Sequence, residues 1–300
     1  MKTKIFSLTV MLAASMAMFA EGGIPGQFSI NENGKKVLFS QGNLQYNPAE
    51  NIWRFAEKQY DMIGADNANI SPTYNGYIDL FGWGTGNNPT LASEDAADYA
   101  TFTDWGIHPI SNGTNTANKW RTLSKLEWEY LINDRANADK LRALATVNGV
   151  HGSILLPDAW KLPQGLSFAA DATTWAGNVY TEAQWQQMEQ AGAVFLPAMG
   201  SRLGTKFRPV AVDGSSNYWS NTKDNENSAW SVSITDGYSI VSYCYDIQDG
   251  VGVRLVTEDL TQDVESIQPS EVSHQKVLRD GQVYVMYKGT EYNVQGQRVE

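Results

Sequence analysis

The sequence contains one cysteine, Cys244, and only three histidines. A single thiol forms neither an intrachain disulfide nor a redox-active or metal-binding thiol pair. The histidines are scattered and show no spacing typical of metal ligands. Nucleophile-elbow and zinc-protease motifs are missing as well. We therefore predict a protein that is not an enzyme and holds no cofactor.

Basic residues are also scarce: 22 Lys and Arg stand against 33 Asp and Glu, a net charge of -11. Such a chain is repelled by nucleic acid and by anionic membrane surfaces, which argues against both as partners. Neutral ligands such as sugars remain compatible with this charge. The balance therefore favours a glycan or another protein as the partner.

A long apolar run occurs only at the N-terminus, where Lys2 and Lys4 precede an apolar segment that ends near Ala20. This pattern is typical of a cleaved signal peptide covering residues 1–20. The run is too short for a comfortable membrane span, so we expect no span in the mature chain. The protein is thus expected to be exported, to the cell surface, the extracellular space or the periplasm.

Two helices are indicated by capping boxes, in which an N-cap hydroxyl and the side chain three residues later satisfy each other's backbone N–H groups. Ser124 with Glu127 begins the first helix, and Thr181 with Gln184 begins the second. Short β signals surround both helices without regular β-α-β alternation. This pattern predicts an α+β fold.

The segment 214–256 is rich in β signals. Residues 230–234 and 240–245 alternate large and small side chains on either side of Asp236-Gly237, a strong hairpin signal. We expect a third strand at 251–256 and a polar loop over 217–227. Beyond it, residues 257–275 are expected to form a linker, and 276–300 a small β element with strands near 276–278, 282–287 and 290–294.

A resemblance to a known family becomes visible when the motifs are taken in order. WRFAEKQYD, DLFGWGTG, WRTLSKLEWEYL, ILLPDAW, MEQAGAVFLPAMGSRLG, NYWSN and GVGVRLV together resemble the Fibrobacter succinogenes major paralogous domain family of gut Bacteroidetes. That group is related to the C-type-lectin-like fold of formylglycine-generating enzymes and retroelement variable proteins. The resemblance implies a C-type-lectin-like domain over residues 21–256. The C-terminal tail is similar in part to sorting domains of secreted Bacteroidetes proteins.

The resemblance also implies a binding region. In variable proteins of this fold, the ligand surface lies between the motifs that correspond here to NYWSN and GVGVRLV, which places it at residues 221–250. Tyr218, Trp219 and Arg254 are assigned to structure. The ligand-binding candidates are Asp224, Asn225, Asn227, Trp230, Tyr238, Tyr243 and Tyr245.

We expect the aromatic rings of this region to form one exposed platform. Tyr243 and Tyr245 must point the same way, because residues two apart in a strand share a face. If their face is exposed, Trp230 could join them. In the opposing arrangement, the two tyrosines point into the core and Cys244 points outward.

Formylglycine-generating activity requires a cysteine pair and is excluded by the lone Cys244. Acidic residues at 224–227 and 246–249 partly match calcium-binding loops, but neither has the full pattern. The leading interpretation is an exported, non-catalytic binding protein for glycans or surface proteins. The alternatives are a hydrolase acting on polysaccharide and a structural subunit of a surface assembly.

Overall fold

The structure, a computed structural model, describes residues 22–258, 275–279, 282–287 and 290–293. Side chains are not described at 212–213, at 238–242 or in the three C-terminal segments. The predicted signal peptide and most of the predicted linker lie outside the described residues. The chain divides into two compact units, residues 1–258 and 259–300.

The secondary structure consists of short strands with few helices. The helices are α1 (Lys125–Glu129), α2 (Glu182–Gln190) and α3 (Val210–Asp213). The strands of the first unit are β1 (Gly23–Ser29), β2 (Lys36–Ser40), β3 (Leu44–Asn47), β4 (Ile52–Phe55), β5 (Arg142–Val147), β6 (Val150–Leu155), β7 (Val179–Tyr180), β8 (Val194–Pro197), β9 (Ser201–Leu203), β10 (Lys206–Arg208), β11 (Ser215–Lys223), β12 (Ser228–Thr235), β13 (Tyr238–Asp246) and β14 (Val256–Glu258).

These strands form several small sheets. β2 lies between β1 and β14, β12 lies between β11 and β13, and β3 pairs with β4 and β9 with β10. A further sheet has the order β7-β5-β6-β8, in which only the β5–β7 pair is parallel. The α+β prediction, with few helices and many short antiparallel strands, is confirmed.

Both predicted capping boxes are present. The Ser124 hydroxyl accepts from the Glu127 N–H and the Glu127 carboxylate accepts from the Ser124 N–H; Thr181 and Gln184 do the same for α2. α1 continues into one π-helical turn at Tyr130–Asp134. Trp128 on α1 and Trp185 on α2 are buried, because local capping and helical spacing together fix which face meets the core.

Three hydrophobic clusters fill the first unit. Trp128 belongs to the first cluster, Trp219 to the second and Trp185 to the third. Tyr218 precedes Trp219 on β11 but belongs to the first cluster, since successive side chains of a strand point to opposite faces. β11 therefore joins two clusters and is covered on both faces at this point.

Arg254 is buried, as the structural assignment expected. Its Nη2 donates to Gln59 Oε1 at 2.7 Å, and its Nη1 lies 3.3 Å from both Asn43 Oδ1 and the Phe195 carbonyl. The Gln59 amide donates in turn to Glu189 Oε1 at 3.0 Å. Burial lowers the pKa of Arg254 to about 10, so the guanidinium is still charged at neutral pH. An amide therefore stands between this buried cation and the nearby carboxylate of Glu189.

Three expectations for the segment after residue 214 are wrong. The expected polar loop over 217–227 is mostly β11, because the polar side chains of Asn217 and Ser220 find partners within the sheet. The strand expected over 251–256 is replaced by isolated bridges of Val251 to Phe81 and of Gly252 to Tyr218, and a strand begins only at Val256. Residues 257–258, expected in the linker, belong to β14 and pair with β2.

The second unit contains the three strands predicted for the tail. They are β15 (Gln275–Arg279), β16 (Gln282–Tyr287) and β17 (Thr290–Asn293), paired antiparallel in that order. The residues that connect them, 280–281 and 288–289, lie outside the described residues. Among the residues that the structure describes, no helix is long and apolar enough to cross a bilayer.

Candidate functional site

The candidate site lies on the β11-β12-β13 sheet, whose register decides which side chains share a face. Trp230 pairs with Cys244, and Ser231 pairs with Tyr243. Directly paired residues of antiparallel strands point to the same side, so Trp230 lies with Cys244 and away from Tyr243 and Tyr245. The expected three-ring platform is therefore wrong: the two tyrosines share a face, and Trp230 is on the other.

A one-residue irregularity in the hairpin causes this separation. Thr235 pairs with Tyr238 beside the Asp236-Gly237 turn, but Ser233 pairs with Val241, so β13 has one residue more than β12 between these pairs. Without that extra residue the register would continue and bring Trp230 opposite Tyr243. A one-residue shift moves every later side chain of one strand to the opposite face relative to its partner.

The face that carries the tyrosines is here called the tyrosine face; it consists of Tyr243, Tyr245 and the side chains paired beside them on β12 and β11. Tyr243 is 57% exposed. Tyr245 is half-buried and meets the buried Trp219 edge to face, with ring centroids 6.3 Å apart. The Trp219 indole N–H donates to the Phe81 carbonyl at 2.7 Å. Tyr245 is thus held against a fixed ring, and Tyr243 is exposed two residues earlier on the same face of β13.

Of the polar loop expected over 217–227, only residues 224–227 lie outside a strand, and they form the turn between β11 and β12. Asp224 Oδ2 accepts from Ser228 Oγ at 2.9 Å and from Asn225 Nδ2 at 2.7 Å. The Asn227 N–H donates to Asn225 Oδ1 at 2.9 Å. Asp224 and Asn225 therefore use their side chains to shape the turn, in the manner usual for Asx residues. Tyr238, the remaining candidate, lies on β13, and its side chain is outside the described part.

On the opposite face, Lys125 of α1 covers Trp230. The Lys125 Nζ lies 3.5 Å from the Trp230 ring centroid, a cation–π contact, and 3.4 Å from Glu129 Oε1. Sequence reasoning missed this contact, since nothing in the helix pattern connects Lys125 with a strand a hundred residues later. Trp230 is consequently half-covered instead of presenting a free ring.

Cys244 is half-buried beside Trp230. β13 is the edge strand of its sheet, so both of its faces are partly accessible. Tyr243 is exposed on one face while Cys244 is half-buried on the other. The two arrangements expected from the sequence, exposed tyrosines or an outward Cys244, therefore do not exclude each other. Burial, and then the nearby Asp224 carboxylate, raise the pKa of the Cys244 thiol. Thiolate is the reactive form, so this thiol should react slowly.

We expect native Cys244 to react with iodoacetamide at pH 8 more slowly than the same cysteine in the unfolded chain. Asp224→Asn should raise the native rate, because losing the carboxylate lowers the thiol pKa. Asp236→Asn, at the exposed hairpin turn, is the matched control and should leave the rate unchanged. Mass spectrometry of time points gives the rates; a native rate equal to the unfolded one would contradict the expectation.

The acidic segments that partly match calcium loops are otherwise engaged. Asp249 is 6% exposed and lies 3.5 Å from Arg208, while Asp224 closes its own turn. Among the side chains that the structure describes, no group of three or more His, Cys, Asp or Glu is arranged to hold a metal ion. Local structure thus accounts for Asp224 and Asp249.

Comparisons of the chain with protein-family models, curated proteins and solved structures give no match. The resemblance drawn from the motif order is therefore still a prediction. A function for this chain has to be inferred from its own surfaces, of which the tyrosine face is the first candidate.

Proposed function

We propose that the protein is an exported, non-catalytic binding protein that recognises a glycan or a surface protein through the tyrosine face. The observation that carries this proposal is the 57% exposure of Tyr243 on a strand next to the buried β12. A tyrosine ring offers rigid apolar area and a polar hydroxyl, which suits both sugars and protein partners.

The rigidity of the base supports binding. Ser231 Oγ lies 2.9 Å from the Tyr243 carbonyl and 3.2 Å from Asn217 Oδ1, which ties β13 to β12 and β11 beside the ring. Trp219 and Ala229 lie on the same face of the sheet and are fully buried. A surface that is ordered before binding loses less entropy when the ligand arrives.

The proposal includes the C-type-lectin-like fold for residues 21–256, which rests on the order of the sequence motifs. The burial of Tyr218, Trp219 and Arg254 supports it, since these are the motif residues assigned to structure. Export is proposed from the N-terminal signal pattern. The polysaccharide hydrolase, the alternative from another class, would need two carboxylates about 5–9.5 Å apart across one cleft.

The test is binding of the mature chain, residues 21–300, to a glycan array and to surface proteins in a pulldown. For any ligand found, Tyr243→Ala should weaken binding by about 1 kcal/mol or more, roughly fivefold, because it removes the exposed ring. Val179→Ala is the matched control, since Val179 is 63% exposed on the separate strand β7.

Unchanged binding in Tyr243→Ala would remove the tyrosine face from the proposal. Release of reducing ends from a polysaccharide by the purified chain would replace the binding protein with the hydrolase. Both variants are surface substitutions, so their unfolding midpoints should match that of the wild type.

A further inference from the structure

A second concave site lies away from the tyrosine face, beside the β3–β4 hairpin. It is a cavity of about 210 Å³. One wall is the start of β4 with the residue before it, Asn51 to Trp53. The other is the segment that follows the 3-10 turn Trp105–Ile107, from His108 to Asn115. The sequence predicted no binding site in either wall.

The two walls are held together by hydrogen bonds to backbone groups of β4. The Ser111 N–H donates to the Trp53 carbonyl at 2.8 Å. The Asn112 side chain bridges both backbone groups of Phe55, accepting from its N–H at 2.7 Å and donating to its carbonyl at 2.9 Å. The cavity is therefore formed before any ligand arrives, which reduces the cost of binding.

The orientation and tautomer of the His108 ring follow from its contacts. The imidazole stacks on Trp53, with centroids 5.1 Å apart and planes 12° from parallel. Its Nε2 lies 2.8 Å from the Gly86 carbonyl, and a carbonyl only accepts, so Nε2 carries the hydrogen. In the neutral ring, Nδ1 is then a hydrogen-bond acceptor.

Two asparagines at the cavity have left-handed backbone conformations, with φ of 52° at Asn51 and 50° at Asn115. The Tyr46 hydroxyl donates to Asn51 Oδ1 at 2.9 Å, which fixes that amide with its NH₂ group as a donor. Asn115 and Ser111 are exposed and add further hydroxyl and amide groups. The cavity thus combines several neutral donors and acceptors.

The lining residues carry no Asp, Glu, Lys or Arg, although the chain as a whole is strongly acidic. Ile52 and Pro109 contribute exposed apolar surface next to the amides. A ligand that matches this mixture is uncharged, has one apolar face and carries several hydroxyls. The volume is below the roughly 300–1,000 Å³ of drug-sized sites, so it suits one ring and not a chain.

We propose that this cavity binds a single neutral sugar residue, with its hydroxyls bonded by Asn51, Ser111 and Asn115 and its apolar face against Ile52. The site is separate from the tyrosine face, so it stands or falls independently of the function proposed above. A weak affinity, with a Kd of about 1 mM, is expected from the few groups involved.

The test is saturation-transfer NMR on residues 21–300 with methyl glycosides of glucose, galactose, mannose and N-acetylglucosamine. The variant is Asn51→Gly with Asn115→Gly. Glycine adopts positive φ without strain, so the substitution removes both amides and keeps the backbone. Asn148→Gly is the matched control, because Asn148 has a φ of 48° at the exposed β5–β6 turn.

At least one neutral glycoside should show saturation transfer, and the double variant should weaken its binding about tenfold through two lost hydrogen bonds. Asn148→Gly and Tyr243→Ala should leave the signal unchanged, and the glucuronic acid glycoside should bind more weakly. No transfer to any of the four glycosides would overturn the proposal. So would equal transfer in the double variant, or binding of N-acetylproline amide in preference to the sugars.

Discussion

Arg254→Met should lower the free energy of unfolding by about 3–5 kcal/mol. The substitution removes the donors to Asn43 Oδ1 and to the Phe195 carbonyl, and one of those to Gln59 Oε1. Each buried acceptor left without a donor costs about 1–3 kcal/mol, and the partial neutralisation of Glu189 is lost as well. Urea denaturation of residues 21–300 at pH 7 measures the change.

Two further variants sharpen this measurement. Arg254→Lys keeps the charge but not the planar fork, so its loss should lie between the wild type and Arg254→Met. Lys58→Met is the control: its ion pair with Glu182 is 3.6 Å long and both side chains are more than 40% exposed, so the loss should stay below about 1 kcal/mol. Equal losses for Arg254→Met and Lys58→Met would show that the buried network contributes nothing.

Trp128→Ala and Trp185→Ala should each cost about 3–5 kcal/mol, because both leave a large cavity in a packed cluster. Trp128 is 1% exposed and packs against Phe39, with centroids 5.7 Å apart. Trp185 is also 1% exposed and packs against Phe195 at 5.6 Å. Thermal and urea unfolding give the values, and a loss below about 1 kcal/mol would mean that the helix faces are misassigned.

The indole nitrogens of Trp128 and Trp185 have no hydrogen-bond partner among the described residues. Phenylalanine at either position therefore loses packing volume but no hydrogen bond, and should cost clearly less than alanine. Trp175→Ala is the control, since Trp175 is half-buried and stacks on the exposed His151 at the surface. It should cost less than either helix anchor.

The helices and most strands could be predicted because their signals are local. Ser124, Glu127, Thr181 and Gln184 lie within four residues of the groups that they cap. Asp236-Gly237 likewise marks its hairpin by local turn chemistry, and a distant residue adds one bond, from the Gly237 N–H to the Thr173 carbonyl at 2.9 Å. For these elements, sequence periodicity and turn chemistry carry nearly all the information that the fold uses.

The faces of the candidate site could not be predicted, because they depend on a single extra residue of β13 near Val241. No local signal marks it, and the register of the hairpin turn alone would have placed Trp230 and Tyr243 together. The strand β11 was missed for a related reason. Asn217 is polar, but its side chain is satisfied by Ser231 on the neighbouring strand, a partner that only the pairing supplies.

The position of β2 between β1 and β14 has a consequence for how the chain is made. The β1–β2 pair can form once residue 40 has been synthesised, because β2 follows β1 directly in the chain. The other edge of β2 stays unpaired until residues 256–258 arrive. Such long-range pairing gives a high contact order and slow folding. During synthesis from the N-terminus, this edge of β2 therefore stays unpaired until almost the whole first unit has been made. A chain truncated before residue 258 would leave the edge of β2 free to pair with other chains.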